Sequence, residues 1–468
     1  MKKNVILYGN TDSGIQKKAL EIVTECLLDQ TMEYPVCLPA DTDADLTDCR
    51  LFCIGTRENN ARLRARTDAP LTEPQQYRIT AENDAVYIEG AQEQGVLWGC
   101  VDFGNKYVLR FTYTHESGRY YRNIFEGTLP DYSMTSAPSV QNRGIWTWGH
   151  VIYDWRGFLD SLVRLKMNTL TIWNDYPPVN AREIVELAHQ WGIRVIWGYA
   201  WFWDTRCDLI DIEKAYASGD EILAQYERDY RDLGGDGIYF QSFTELNRET
   251  IGGVLIAEAV TEFVNRTAAK FYEKYPDLEL QFGLHANSVS QKLEYIRRVD
   301  PRIRIVWENC GAFPFSYIPT EVENFDATVD FVKRLTHLRD DLGGERFGAV
   351  TKGLVKLDWT KFEHLQGPMY IGESSEQLKA NRIVRKHKIW KYIQAYWLTN
   401  AKYACDMMRR MAAETGGNTC VTALVEDGMF EREIMYPAAL CAEFYWDGES
   451  SCEEIMNRVA LRDDVTFA

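Results

Sequence analysis

Hydrophobic positions in the first hundred residues switch between two periods. Val5–Tyr8 is an apolar run of strand length, and Ile15–Leu28 then carries Ile15, Ala19, Ile22, Val23 and Leu27 at helical spacing on one face. Leu51–Gly55 is a second buried-strand candidate. Tyr77–Thr80 and Ala85–Glu89, separated by Glu82-Asn83-Asp84, read as a hairpin that leads into a helix over Gln92–Val108. From Gly127 to Gln141 the periodicity fades into Pro130, Ser133, Ser136, Pro138 and Ser139, the pattern of a linker.

A new regime starts at Arg143. Strand candidates recur at Arg143–Trp148, Thr169–Asn174, Arg194–Tyr199, Gly237–Phe243, Leu280–His285, Arg304–Asn309, Lys352–Trp359 and Pro368–Gly372. Helical patterns over Trp155–Lys166, Ala181–Trp191, Gly253–Tyr275 and Ala327–Leu338 supply crossovers between most of them. This alternation predicts an α/β fold, a (β/α)8 TIM barrel. A doubly wound sheet would need a glycine-rich phosphate turn after its first strand, and Trp146-Thr147-Trp148-Gly149-His150 is not one. The expected division is an N-terminal α/β domain over 1–125, a linker over 126–141, the barrel over 142–375 and a helical C-terminal region over 376–468.

Composition narrows the function. With 46% hydrophobic and 26% charged residues, the 468-residue chain is neither disordered nor fibrous. Its 52 Lys and Arg against 69 Asp and Glu give a net charge of −17, which disfavours nucleic acid and acidic membranes as partners. The 11 Cys contain no CxxC pair, so reduced thiols of a cytoplasmic protein are expected, without a cysteine zinc site. The apolar run after Lys3 stops at Gly9, too short for a secretory signal, and no run is long enough to span a membrane. The seven His show neither HxH nor HExxH spacing, and GxSxG and Walker motifs are absent, so no metal, cofactor, serine-hydrolase or P-loop chemistry is expected. Oligomerisation is left open.

In a TIM barrel the chemistry sits at the C-terminal ends of the strands. Those positions hold Trp146, Trp148 and His150; Trp173 and Asp175; Trp201, Trp203 and Asp204; Gln241, Thr244 and Glu245; His285 and Asn287; Trp307 and Glu308; and Asp358 and Trp359. Indole faces mixed with carboxylates and amides suit a polyhydroxylated ligand, whose C–H faces stack while its hydroxyls hydrogen-bond. A carbohydrate substrate is the expected partner, although any single Trp could equally pack under a loop. Glu245 follows an apolar strand and is flanked by hydroxyls and amides, which suits a general acid; the plainer alternative is a helix-capping Glu. A glycosidase needs a second carboxylate. Glu308, between Trp307 and Asn309, is favoured, with Asp358 the other candidate unless it pairs with Lys356; Asp175 and Asp204 read as holders of substrate hydroxyls.

The helix start Gln94-Gly95-Val96-Leu97-Trp98-Gly99-Cys100 after the hairpin Tyr77–Gly90, the barrel opening Asn142-Arg143-Gly144, and Lys166-Met167-Asn168-Thr169-Leu170 before the second strand resemble β-hexosaminidases and family 67 α-glucuronidases over residues 1–310. The resemblance implies a glycosidase with Glu245 as its acid. β-Hexosaminidases carry Asp immediately before that Glu, where this chain has Thr244; the α-glucuronidases carry a small hydroxyl residue there and are closer. They use a later Asp and then Glu to activate water, whereas this chain offers Glu308 and then Asp358, with no clusters of Arg and Lys at strand ends for a uronate. The reading is a glycoside hydrolase. The alternatives are a carbohydrate-binding barrel without hydrolysis and a non-carbohydrate barrel enzyme such as a metal-dependent lyase.

Overall fold

The computed structural model describes residues 2–9, 12–112, 122–174, 176–202, 210–285, 288–310, 325–342, 347–356, 367–417, 419–425, 427, 431 and 433–468, without the side chains of 309 and 310. The chain divides into two compact units, one formed by residues 1–138, 190–192 and 453–463, the other by the remainder.

The first unit is built on a six-stranded sheet. Lys3–Tyr8 lies parallel between Val36–Pro39 and Cys49–Gly55, the latter pairs with Ala85–Gly90, and Tyr77–Glu82 joins antiparallel as the expected hairpin. Tyr132–Ser136, inside the stretch expected to be a linker, is instead the edge strand paired with Tyr77–Glu82. Its alternation of half-buried and exposed residues, with no apolar run, concealed it.

The second unit is a closed barrel of eight parallel strands: Asn142–Trp148, Thr169–Trp173, Arg194–Ala200, Gly237–Gln241, Glu279–Leu284, Arg304–Cys310, Phe347–Leu354 and Thr419–Val425. Most of these strand residues are buried, as expected when helices cover one face and the barrel interior fills the other. Six strands fall close to the expected positions. The seventh begins five residues earlier than expected, at Phe347, and the eighth is Thr419–Val425 rather than Pro368–Gly372. Pro368 has no N–H for a central ladder, Gly367 and Gly372 take positive φ, and Tyr370 is exposed. That segment is a loop, pinned where Asn180 exchanges two hydrogen bonds with the Ile371 backbone at 2.8 and 2.9 Å.

The 40-residue helix Glu376–Thr415 therefore lies between the seventh and eighth strands. Ser375 caps its start, Gly416 in the left-handed region ends it, and Trp390, Ile393, Trp397, Ala401, Ala404, Met408 and Met411 form its buried stripe. Among the described residues no helix is long and apolar enough to cross a membrane.

Candidate active site

Side chains alternate along each strand, so every second residue enters the barrel. The inward set includes Trp146, Trp148, Trp173, Ile196, Tyr239, Val306, Val350 and Leu424, one contiguous core cluster. Trp146 lies edge-on to Trp148 at 5.0 Å and to Tyr239 at 5.7 Å, and stacks on Trp173 at 6.1 Å. These three indoles are more than nine-tenths buried and fill the barrel interior. His150 is half-buried, its ring 6.5 Å from that of Trp148.

The opposite phase of the pleat points at the helices, and two expected sugar-binding residues belong to it. Trp201 stacks on Phe240 at 3.7 Å and lies 5.0 Å from Phe271 of the helix Ile256–Lys274. Trp307 meets Phe331 of the helix Phe325–Thr336 edge-on at 5.0 Å. Both are buried in the layer between strands and helices. Being near a strand end places a residue at the mouth, but the parity of its position decides which side of the wall it faces.

The predicted residues Gln241, Thr244, Glu245, His285 and Glu308 do meet. Glu308, inward on the sixth strand, is buried at its C-terminal end. Its Oε1 accepts from the Tyr239 hydroxyl and from Gln241 Nε2 at 2.7 Å, and its Oε2 accepts from the same Gln241 nitrogen at 2.7 Å and stands 2.9 Å from His285 Nε2. His285 Nε2 also lies 4.0 Å from Glu245 Oε1. Both carboxylates thus flank one imidazole nitrogen, and these oxygens are no farther apart than the sum of 2.9 and 4.0 Å, within the upper limit of roughly 9.5 Å for glycosidic chemistry.

Electrostatics separates the two acids. Burial pushes the Glu308 pKa up, but the facing His285, the charge of Lys352 and the Tyr239 hydroxyl outweigh it and hold the carboxyl at about 2. The same pairing raises His285 above its ordinary value, against burial. Glu245 keeps 46% of its side chain exposed, whereas Thr244 beside it is fully buried. Thr244 Oγ1 accepts from the His285 backbone N–H at 3.2 Å and its carbonyl from Ser288 Oγ at 2.7 Å, which anchors the backbone that presents Glu245.

Gly283 makes room for this network. A Cβ there would collide with Glu308 Oε1 and the Tyr239 hydroxyl, so glycine leaves the fifth strand open where the sixth and fourth send polar groups across.

No family model matches the chain, and no curated protein matches it. Solved structures do, at low identity. The structure of CpGH84B matches with a TM-score of 0.54 and 10% identity, over 97% of this chain and 70% of its own. A GH138 enzyme targeting pectin rhamnogalacturonan II matches with a TM-score of 0.55 and 12% identity, over 97% and 65%. The GH115 4-O-methyl-α-glucuronidase BtGH115A, with specificity for decorated arabinogalactans, matches with a TM-score of 0.50 and 12% identity, over 96% and 57%. The fold is one that glycoside hydrolases use. This chain spans somewhat under two thirds of the length of the second and third of these proteins.

Asp175, Trp203, Asp204, Asn287, Asp358 and Trp359 lie outside the described residues. Lys356, expected to share a strand face with Asp358, lies past the strand end at Leu354, its Nζ 4.6 Å from the Tyr392 ring centre. Among the described residues no group of three or more His, Cys, Asp and Glu could hold a metal ion.

Sequence reasoning passed over Tyr239 and Lys352. Tyr239 was legible in principle, since it precedes Gln241 by two and so shares its inward face. It also passed over Asp427 and Glu431, because the eighth strand was misplaced. Both follow that strand at the mouth, buried around Arg382, whose Nη1 donates to Glu431 Oε1 at 2.8 Å and whose Nε donates to Asp427 Oδ1.

Proposed function

We propose that the chain is a glycoside hydrolase acting at the C-terminal mouth of the barrel, with Glu245 as the general acid. The observation that carries this reading is the row Glu245, His285, Glu308: an exposed carboxyl 4.0 Å from an imidazole nitrogen that stands 2.9 Å from a buried carboxylate. An ionised carboxylate offers about four acceptor sites, and Tyr239, Gln241 on both oxygens and His285 occupy them for Glu308. Glu308 therefore acts through His285 as a positioning residue, and Asp358 is the better candidate to activate water or to attack the sugar. Thr244, with its hydroxyl turned to the His285 backbone, supplies no carboxylate to orient an acetamide. This favours an α-glucuronidase-like activity over a hexosaminidase-like one.

The test is turnover on a panel of aryl glycosides and glycuronides. Glu245→Gln lowers the rate on substrates with poor leaving groups by about 10²–10⁴, the usual worth of general acid catalysis, and keeps affinity. Asp358→Asn lowers it for every leaving group. Equal rates for parent and Glu245→Gln would remove Glu245 from this role. The filled acceptor sites of Glu308 also favour a second reading, a carbohydrate-binding barrel without hydrolysis. Binding of sugars with no turnover of any member of the panel would establish it.

A further inference from the structure

The helix Glu376–Thr415 is longer than the wall it packs on. Trp397 Nε1 donates to the Gly353 carbonyl at 2.8 Å, next to the C-terminal end of the seventh strand, so the residues from 376 to 396 extend past the strand ends. That is roughly 30 Å of helix at about 1.5 Å per residue. Because all eight strands are parallel, the overhang stands on the same face of the barrel as Glu245. It is fastened there: Arg382 binds Asp427 and Glu431 and lies over the Tyr153 ring at 4.2 Å, and Lys379 pairs with Asp154 at 3.3 Å.

The chemistry of this stretch runs against that of the chain. From Gln377 to Cys405 there are seven Lys or Arg and no Asp or Glu, in a protein of net charge −17. Lys379, Arg382 and Lys386 face acidic side chains of the mouth. Arg385, Lys388 and Lys391 are exposed, with Lys388 central and its neighbours three residues to either side on one broad helical face. Beside them Tyr392 and Tyr396 hold their rings 4.8 Å apart, with the exposed Lys356 over Tyr392.

We propose that this overhang is a docking ledge for an acidic polysaccharide, a chain of uronate-bearing sugars. Carboxylates pair with Arg385, Lys388 and Lys391, and pyranose faces lie on the tyrosines. The proposal rests on the carbohydrate reading above and names the substrate class. A polyuronate carries one charge per sugar ring, far sparser than the one per roughly 1.7 Å of duplex DNA, so a local basic face can hold it on a protein whose overall field repels polyanions. The exposed large apolar residues of the overhang, Leu378 and Val384, are too few to enter a bilayer.

The experiment is affinity electrophoresis in gels cast with polygalacturonate, neutral hydroxyethyl cellulose or duplex DNA, and sedimentation with phosphatidylserine vesicles. Polygalacturonate retards the native chain at low salt, and the triple charge reversal Arg385→Glu, Lys388→Glu, Lys391→Glu weakens binding by roughly tenfold or more with an unchanged circular dichroism spectrum. No retardation, equal retardation of parent and variant, or equal binding of DNA or vesicles would overturn the proposal. Glu245→Gln separates the two readings, because it lowers hydrolysis of poor leaving groups by about 10²–10⁴ if Glu245 is the acid and retains ledge binding.

Discussion

Glu308 is an anion in a nearly closed site because three donor groups, Tyr239, Gln241 and His285, converge on its two oxygens and leave a carboxyl proton no acceptor to meet. Its pKa near 2 is the balance of burial against His285, Lys352 and Tyr239, and the raised His285 is the other side of that balance. Replacing Glu308 by Gln removes the charge that raises the His285 pKa. The His285 pKa is then expected to fall; NMR titration of His285 checks this, and an unmoved pKa would detach Glu308 from the imidazole. Gly283→Ala reaches the same carboxylate sterically. It displaces Glu308 from Tyr239 and is expected to cost about 1–3 kcal/mol of stability along with activity, measured by urea denaturation and turnover.

At the scale of elements, a guanidinium between two buried carboxyls, together with Lys379 on Asp154, holds the long helix to the mouth. Burial raises the pKa of both Asp427 and Glu431, with Arg382 pulling each back down. Arg382→Ala leaves both buried, with Lys386 at 3.8 Å from Asp427 to offset part of their charge, at a cost of roughly 3–5 kcal/mol in urea unfolding at neutral pH. The loss shrinks as the pH is lowered and the two carboxyls protonate. A loss that stays constant with pH would show that Arg382 contributes packing instead of charge. Trp201 gives a contrasting expectation, since it is wedged between Phe240 and Phe271. Trp201→Ala costs about 3–5 kcal/mol and leaves sugar affinity per folded molecule unchanged, checked by denaturation and calorimetric titration.

At the scale of the whole molecule, two carboxylates on adjacent barrel strands are held low by separate sets of partners. Glu279, at the start of the fifth strand, is held at about 2 by Arg304 and Arg194 against burial, and Glu308, near the end of the sixth, is held at about 2 as well. Their folded pKa values lie below the ordinary 4.5, so the stability they contribute is present above that value and lost as the pH falls toward 2. Asp427 and Glu431 are shifted upward and act with the opposite sign: their contribution is present below the ordinary carboxyl range and lost as the pH rises through their folded values. Urea midpoints at pH 7, 4.5 and 3 are expected to fall over the last interval, and to fall less in Glu279→Gln and Glu308→Gln. An identical decline in both variants would place the acid sensitivity elsewhere.

The amino-acid sequence by itself determined the barrel and most of its strands, because strands buried on both faces must be nearly continuous in apolar residues and the helices between them must be amphipathic. It also placed Glu245, Glu308 and His285 near strand ends, since that follows from where an apolar run stops. The eighth strand escaped because a 40-residue helix separates it from the seventh, and Pro368–Gly372 imitated a strand in composition although Pro368 lacks an N–H and Gly372 takes a positive φ. Closure of the barrel alone decided the rest. It chose which parity of each strand faces inward, sending Trp146, Trp148 and Trp173 into the interior and Trp201 and Trp307 under helices. It also brought Tyr239, His285 and Glu308 together from three strands and carried the basic half of a helix past the rim. Such contacts depend on register between segments tens of residues apart, which no local pattern encodes.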